Sequence, residues 1–255
     1  MDTRIVYGRH PVVELFSAKK PLEKILLAHS AHGPTVKKIL RLAQKYNVRI
    51  EHVSAEELAL LTNNGNHQNI VAVTKNTNHT TSLLSFIDHC PAQALVVVCD
   101  HLQDSHNLGA VIRSAECFGA HAVIIPRARS VGFSPIVNKI AAGAMEHIAL
   151  IEVANINMTL RELKSSGFWV VGADASDPKA DMLNDFIPPK RVSLVVGSEA
   201  TGMMAQTHDL CDFILKIEQY GSIASLNVSV ATGIILHSIT TKMHAPVHTA
   251  HSVSV

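Results

Sequence analysis

The chain has 255 residues, 47% hydrophobic and 17% charged, enough to bury one large core or two moderate ones, which excludes a disordered chain. Its net charge of +1 is unevenly spread: residues 1–75 carry 11 lysines and arginines against 6 acidic residues, residues 76–255 carry 11 against 15. A basic first third joined to an acidic remainder fits a part that grips a polyanion, and an unevenly charged solvated surface accounts for it equally well.

The first third alternates between the two periods of regular structure. RIVYG reads as a strand, HPVVELFSA as a helix, EKILLA as a strand, and GPTVKKILRLAQKYN as an amphipathic helix with Val36, Ile39, Leu40 and Ala43 on one face. Asn47 ends it. VRIEHV is a strand, and SAEELALL a helix capped by Ser54 with Glu57 completing a capping box. NIVAVTK is the last strand, which gives an α/β module over residues 1–75. Residues 76–93 open on polar residues and read as a linker into a short helix. A second series fills residues 94–244. ALVVVCD is a continuous apolar run of the kind found in buried parallel strands, and GAVIRSAECFG is the helix after it. HAVIIP, SPIVNKIAAGAM, HIALIEV, NMTLRELKSSG, FWVVGAD, VSLVVGSE and DFILKIE continue the alternation. A parallel sheet with helices on both faces follows, and residues 245–255 form a loose tail.

The opening MDTRIVYGRHPVVELF lacks a basic segment followed by a long apolar one, and no 18 apolar residues run uninterrupted. A cytoplasmic protein without a membrane span is therefore expected. Cys90, Cys99, Cys117 and Cys211 stand singly, which argues against disulfides and zinc knuckles and for buried thiols. The 16 histidines show no HExxH, so a metal hydrolase is a poor reading and no metal is expected.

Three stretches place polar residues or glycines after apolar strands, where open α/β sheets bind ligands. In DHLQDSHNLGAVIRSAECFGA, Asn107 is placed to cap the helix. Arg113, among Val111, Ile112 and Ala115, is either a surface arginine with its stem on apolar neighbours or an anion-binding group. In SLVVGSEATGM, Gly197 and Gly202 permit close backbone approach and Glu199 follows the strand directly. A plain strand-to-helix turn explains that stretch as well; it is neither GxGxxG nor GxxxxGK[ST]. In GSIASLNVSVATGIILHSI, Ser225 or Asn227 can cap the long helix, which leaves the other small polar residues unexplained.

Taken together and in this order, NLGAVIRSA, LVVGSEATGM and GSIASLNVSVATGI resemble the three signature motifs of the SpoU (TrmH) family of RNA ribose 2′-O-methyltransferases. The first third is similar to the substrate-binding domain of many members, with IVYGRHPVVELF at its Gly-x-His opening and GNHQNIVAV at its His-Gln-Gly closing. The resemblance implies a SPOUT-type, Rossmann-like parallel sheet with a C-terminal deep trefoil knot. A small α/β/α RNA-binding domain resembling ribosomal proteins would precede it. It implies S-adenosyl-L-methionine (AdoMet) bound in the knot around Gly197, Ile217 and Leu226, with Gly202 nearby. It implies a homodimer paired through the helices at 108–118 and 226–240, and a guanosine in the peptidyl-transferase region of 23S rRNA as substrate. A tRNA substrate, or a non-catalytic RNA-binding factor in ribosome assembly, stands as the alternative.

A ribose hydroxyl is a poor nucleophile at neutral pH and needs positioning and help with its proton. AdoMet brings its own leaving group, so no metal is required. Arg113 matches the family's catalytic arginine. Because an arginine stays protonated in proteins, it suits stabilising an emerging alkoxide better than removing a proton. Asn107 and Glu199 would orient Arg113 and the ribose, and Ser225 and Asn227 would bond the target nucleotide. The sequence departs from the family at Glu218, where a proline usually follows Ile217, and at Asn69, where a glycine is usual.

Overall fold

The computed structural model describes residues 3–18, 20–75, 80–198, 201–223 and 225–245. The first series comprises β1 (Thr3–Tyr7), α1 (Arg9–Ser17), β2 (Leu22–Ala28), α2 (Pro34–Lys45), β3 (Arg49–Val53), α3 (Ala55–Leu61) and β4 (Ile70–Lys75). Its four strands lie in the order β1-β4-β2-β3. β2 and β3 run parallel, and β4 runs against both β1 and β2. Leu15, Ile25, Ile39 and Ile70 meet in the core under α1 and α2. The capping box of α3 is present: Glu57 N–H donates to Ser54 Oγ (3.1 Å) and Ser54 N–H to Glu57 Oε2 (2.8 Å). On α2, Val36, Ile39 and Ala43 are buried. Leu40, expected beside them, lies at the edge of that face and is exposed.

After a single bridge from Thr80 to Leu150, α4 (Leu83–Asp88) packs on the second sheet. Then follow β5 (Ala94–Asp100), α5 (Ser105–Cys117), β6 (Ala122–Pro126), α6 (Pro135–Ile140), a 3₁₀ turn (Ala144–Glu146), β7 (Ala149–Val153) and α7 (Ile156–Ser165). β8 (Trp169–Ala173), β9 (Asp181–Met182), β10 (Arg191–Gly197), α8 (Ala205–His208), β11 (Phe213–Lys216) and α9 (Val228–His244) complete it. Seven strands lie in the order β7-β6-β5-β10-β8-β11-β9, every pair parallel. All of β5 is buried because helices cover both faces. Leu95, Val97 and Cys99 pack in one core with Leu108, Ile112 and Leu236, while Val96 and Val98 pack in the other with Leu160 and Leu163.

Three expectations need correction. α6 stops at Ile140 instead of running to Met145, because Ala142 (φ 54°) and Gly143 (φ 95°) take left-handed backbone. That bend brings α1 close: a Cβ on Gly143 would sit 2.6 Å from Glu14 Cβ, and His147 Nε2 lies 3.0 Å from Glu14 Oε2. α5 begins before Asn107, and its cap is Asp104, whose Oδ1 accepts the Asn107 N–H at 2.8 Å. The four thiols are not alike. Cys99 is buried and Cys117, at the end of α5, is exposed. Burial pushes the Cys99 and Cys211 thiols up to about 12. No helix among the described residues is long and apolar enough to cross a membrane. Glu199, part of residues 76–93, and residues 246–255 of the tail lie outside the described residues.

Candidate active site

An all-parallel sheet puts every strand's carboxyl end on one edge, so loops from distant parts of the chain converge there. Past the ends of β8, β10 and β11 they enclose a cavity of about 500 Å³. Gly197, Gly202, Ile217 and Leu226 all line it, as do Ser225 and Asn227. Its deeper wall is apolar, with Val196, Leu215, Ala231 and Ile235, and its rim carries Asp174, Ser176, Lys216 and Gln219. An apolar wall beside a polar rim suits a ligand with a flat ring at one end and charged or hydroxylated groups at the other.

The cavity depends on one glycine. A Cβ on Gly197 would lie 2.1 Å from Gly202 C and 2.2 Å from Met203 N, all backbone. Ser198 and Gly202 pair across a turn at that position: Ser198 N–H donates to Gly202 O (3.0 Å) and Gly202 N–H to Ser198 O (2.8 Å). Gly202 has φ 66°. The far end of the turn is held by Asp100 at the end of β5, whose buried Oδ2 accepts from Met204 N–H at 2.8 Å.

Asn227 performs two tasks. Its Oδ1 caps α9, accepting from Ser229 N–H (2.9 Å), Val230 N–H (3.4 Å) and Ser229 Oγ (2.6 Å), a cap worth about 1 kcal/mol. Its Nδ2 donates to Asn107 Oδ1 at 3.0 Å, which joins α5 to the start of α9 across 120 residues. Asn107 is almost wholly buried. The two amides thus fix each other's rotamers beside the cavity.

Arg113 stands apart. It lies six residues and about 9 Å further along α5 than Asn107. Leu108, Val111, Ile112 and Ala115 take the inward face of that helix, which turns Arg113 to solvent. It lines no part of the cavity and makes no hydrogen bond or ion pair among the described residues. Beside it, Ala110, Ser114, Phe118, Val230, Gly233 and Ile234 form an open groove between α5 and α9. Val230 and Ile234 are half exposed there.

The two departures have local explanations. Asn69 has φ 65°, a backbone that asparagine tolerates best after glycine. Glu218 stands near Tyr220, and its carboxylate raises that phenol's pKa, so the 217–220 segment carries a charge where proline would have stiffened it. Asp174, Ser176, Lys216 and Gln219 sit at or just after strand ends in the short polar stretches DASD and KIEQ, which match no motif in the sequence. Asp100 and His101 match none either, although an acid and a histidine closing an apolar strand are a visible signal. No group of three or more histidine, cysteine, aspartate or glutamate residues fit for a metal occurs among the described residues.

Residues 94–237 match the SpoU rRNA Methylase family, and residues 5–80 match RNA 2'-O ribose methyltransferase substrate binding. The chain is 34% identical over 235 residues to the 23S rRNA (guanosine-2'-O-)-methyltransferase RlmB of Nitrosomonas europaea, covering 92% of this chain and 90% of the relative. It is also 34% identical over 237 residues to the TrmH family protein YacO of Bacillus subtilis, covering 92% and 94%. The crystal structure of the SpoU methyltransferase AviRb from Streptomyces viridochromogenes in complex with AdoMet shares the fold. Its TM-score is 0.76 at 21% identity, over 94% of this chain and 90% of that one. The sequence match along most of its length and the parallel sheet beneath the cavity agree: the chain belongs to the SpoU rRNA Methylase family.

Proposed function

We propose that the protein transfers a methyl group from AdoMet to the ribose 2′-hydroxyl of a guanosine in the peptidyl-transferase region of 23S rRNA, in the cytoplasm. The observation that carries this is the single cavity that gathers Gly197, Gly202, Ile217, Leu226, Ser225 and Asn227 from three separate stretches of sequence. RlmB relatives with the guanosine activity in their names, matched over nine-tenths of both chains, support the substrate.

The cavity's residues fit AdoMet. Gly197 leaves room for close backbone approach, the apolar wall suits an adenine ring, and the rim offers Asp174 and Gln219 to polar groups. AdoMet supplies an electrophilic methyl on a sulfonium, with a neutral thioether as leaving group. Everything else falls to side chains. Ser225 and the Asn107–Asn227 pair hold the target nucleotide, and the buried Val196, Leu215 and Ile235 on the cavity's apolar wall limit water. Glu199 would help orient the ribose. Arg113 holds its positive charge against the developing alkoxide and the adjacent phosphate.

Arg113 faces away from its own chain's cavity, which supports a homodimer in which it serves a partner's site. The groove between α5 and α9 next to it offers Val230 and Ile234 for an isologous contact. The reading includes a C-terminal segment threaded as a trefoil knot. In support, Lys242 of α9 donates to the carbonyls of Leu183 (2.9 Å), Asn184 (2.8 Å) and Phe186 (2.8 Å), in the connection between β8 and β10. Residues 1–75 act as the RNA-binding domain, 94–244 as the catalytic domain, and 76–93 as their linker.

The test is Arg113→Ala assayed with labelled AdoMet on protein-free 23S rRNA and on bulk tRNA. Turnover on 23S rRNA is expected to fall by about 10²–10³-fold, with AdoMet affinity within twofold of wild type. Near-normal turnover sinks the role of Arg113. Wild-type methylation of tRNA alone moves the substrate, and binding of both ligands without product identifies an assembly factor.

A further inference from the structure

Across the 198–204 segment from the cofactor cavity lies a second one, of about 380 Å³, at the carboxyl ends of β5, β6 and β7. Its walls include Pro126, Ala128 and Ile156, and its polar groups include His101, Asn155 and Gln206. None of its lining residues is lysine, arginine, aspartate or glutamate. A phosphate would find no charge there. Apolar walls with a few fixed donors suit a flat heteroaromatic ring.

The roles of these groups are defined by what their other atoms already do: the two amides donate, and the imidazole offers an accepting nitrogen and a ring face. His101 Nδ1 lies 2.6 Å from Asp100 Oδ1, the buried carboxylate whose other oxygen holds Met204 N–H. With Nδ1–H given to the carboxylate, Nε2 is left without a hydrogen-bond partner among the described residues. Asn155 Oδ1 is spent on Met158 N–H (3.0 Å), which leaves its NH₂. Gln206 Oε1 accepts from Asn157 Nδ2 (3.0 Å), which leaves the NH₂ of Gln206. His101 has φ 63°, a left-handed backbone where glycine would fit without strain, yet an imidazole stands there.

We propose that this cavity receives the nucleobase of a nucleotide next to the methylated one, His101 packing against the ring and the Asn155 and Gln206 amides donating to its acceptor edge. Unstacked bases of RNA are held in this manner by histidine and amide side chains. The two cavities are close: Gly202 lines one and Met204 the other, at most about 7 Å of chain apart. Asp100 is a positioning residue, because one carboxylate orients both His101 and the turn that closes the cofactor cavity. This assignment rests on the RNA methyltransferase reading above and adds a specificity pocket to it.

Two variants probe it without threatening the fold. His101→Gly relieves the left-handed backbone, and Ala128→Trp fills the cavity from an exposed position. With a transcript of the peptidyl-transferase region of 23S rRNA, each is expected to raise KM for RNA about tenfold while AdoMet affinity, measured by calorimetry, stays unchanged. Transcripts with an abasic residue on the 5′ or the 3′ side of the methylated nucleotide locate the contact. One of them is expected to cost wild type the same factor and to cost His101→Gly nothing more. Unchanged RNA KM in both variants, or losses that multiply when variant and abasic transcript are combined, overturns the proposal. A wild-type protein that binds AdoMet but methylates no RNA overturns the function itself, and does so before any substitution is made.

Discussion

The two sheets are built from the same alternation of strands and helices and do different things with it. In the seven-stranded sheet every strand points the same way, so residues 174, 197, 217 and 226 meet at one edge. In the four-stranded sheet β4 runs against its two neighbours, which sends strand ends to both edges. Beside that sheet, the starts of α1 and α2 and the 65–69 loop form an open polar bowl of about 560 Å³ with Arg9, His10, Asn66 and His67. It is shaped by the left-handed residues Asn63, Asn64, Gln68 and Asn69. Strand direction thus decides where an enclosed site can form, while the mixed sheet offers charge and shape on open surfaces.

The sharpest way to break this contrast is Gly197→Ala. The added Cβ meets backbone on every side, so AdoMet binding is expected to fall more than about 100-fold, near 2.7 kcal/mol or more. Calorimetry showing affinity within threefold of wild type would mean that the cavity closes by other means. A smaller, opposite effect is expected from the first sheet. Lys37, Lys38 and Arg41 line the exposed face of α2. Reversing all three to glutamate should weaken 23S rRNA binding and flatten its salt dependence by a slope of about 2, with AdoMet affinity untouched. An unchanged slope removes the polyanion role from that sheet. The mildest probe is chemical. All four cysteines belong to residues 90–211, so a thiol reagent reports on the second sheet alone. Raised pKa values keep Cys90, Cys99 and Cys211 in the unreactive thiol form, Cys99 and Cys211 at about 12. Because only thiolate reacts, native protein at pH 8 should release at most one equivalent quickly, that of the exposed Cys117, and four after denaturation. Two fast equivalents would mean that one of the covered positions opens.

Much of this was legible before the structure, and the gaps have physical causes. ALVVVCD announced a strand buried on both faces, and Ser54 with Glu57 announced a helix start. β9, two residues long, has no period to read and exists only because β11 lies beside it. Asn107 and Asp104 are both good caps in sequence, Asn107 the nearer to the first apolar residue, Leu108, and only the backbone shows that α5 starts after Asp104. Ala142 gives no sign in sequence of its left-handed backbone, so nothing in the pattern marks the end of α6 at Ile140. At the site, glycines and a serine-asparagine run could be read, whereas Asp174, Lys216 and Gln219 acquire meaning only when three loops meet. An arginine in an apolar helix can be seen in sequence. Which body its head faces is a property of the folded helix.

The hydrogen bond between Asn107 and Asn227 also sets a schedule. On a ribosome adding about 5–20 residues per second, the second asparagine is made some 6–24 s after the first. Through that interval the basic sheet and the β5–β7 half can already be in place, while the cavity has no third wall. The newborn chain can therefore complete its first sheet before its cofactor cavity exists, and methylation waits for the final stretch of translation.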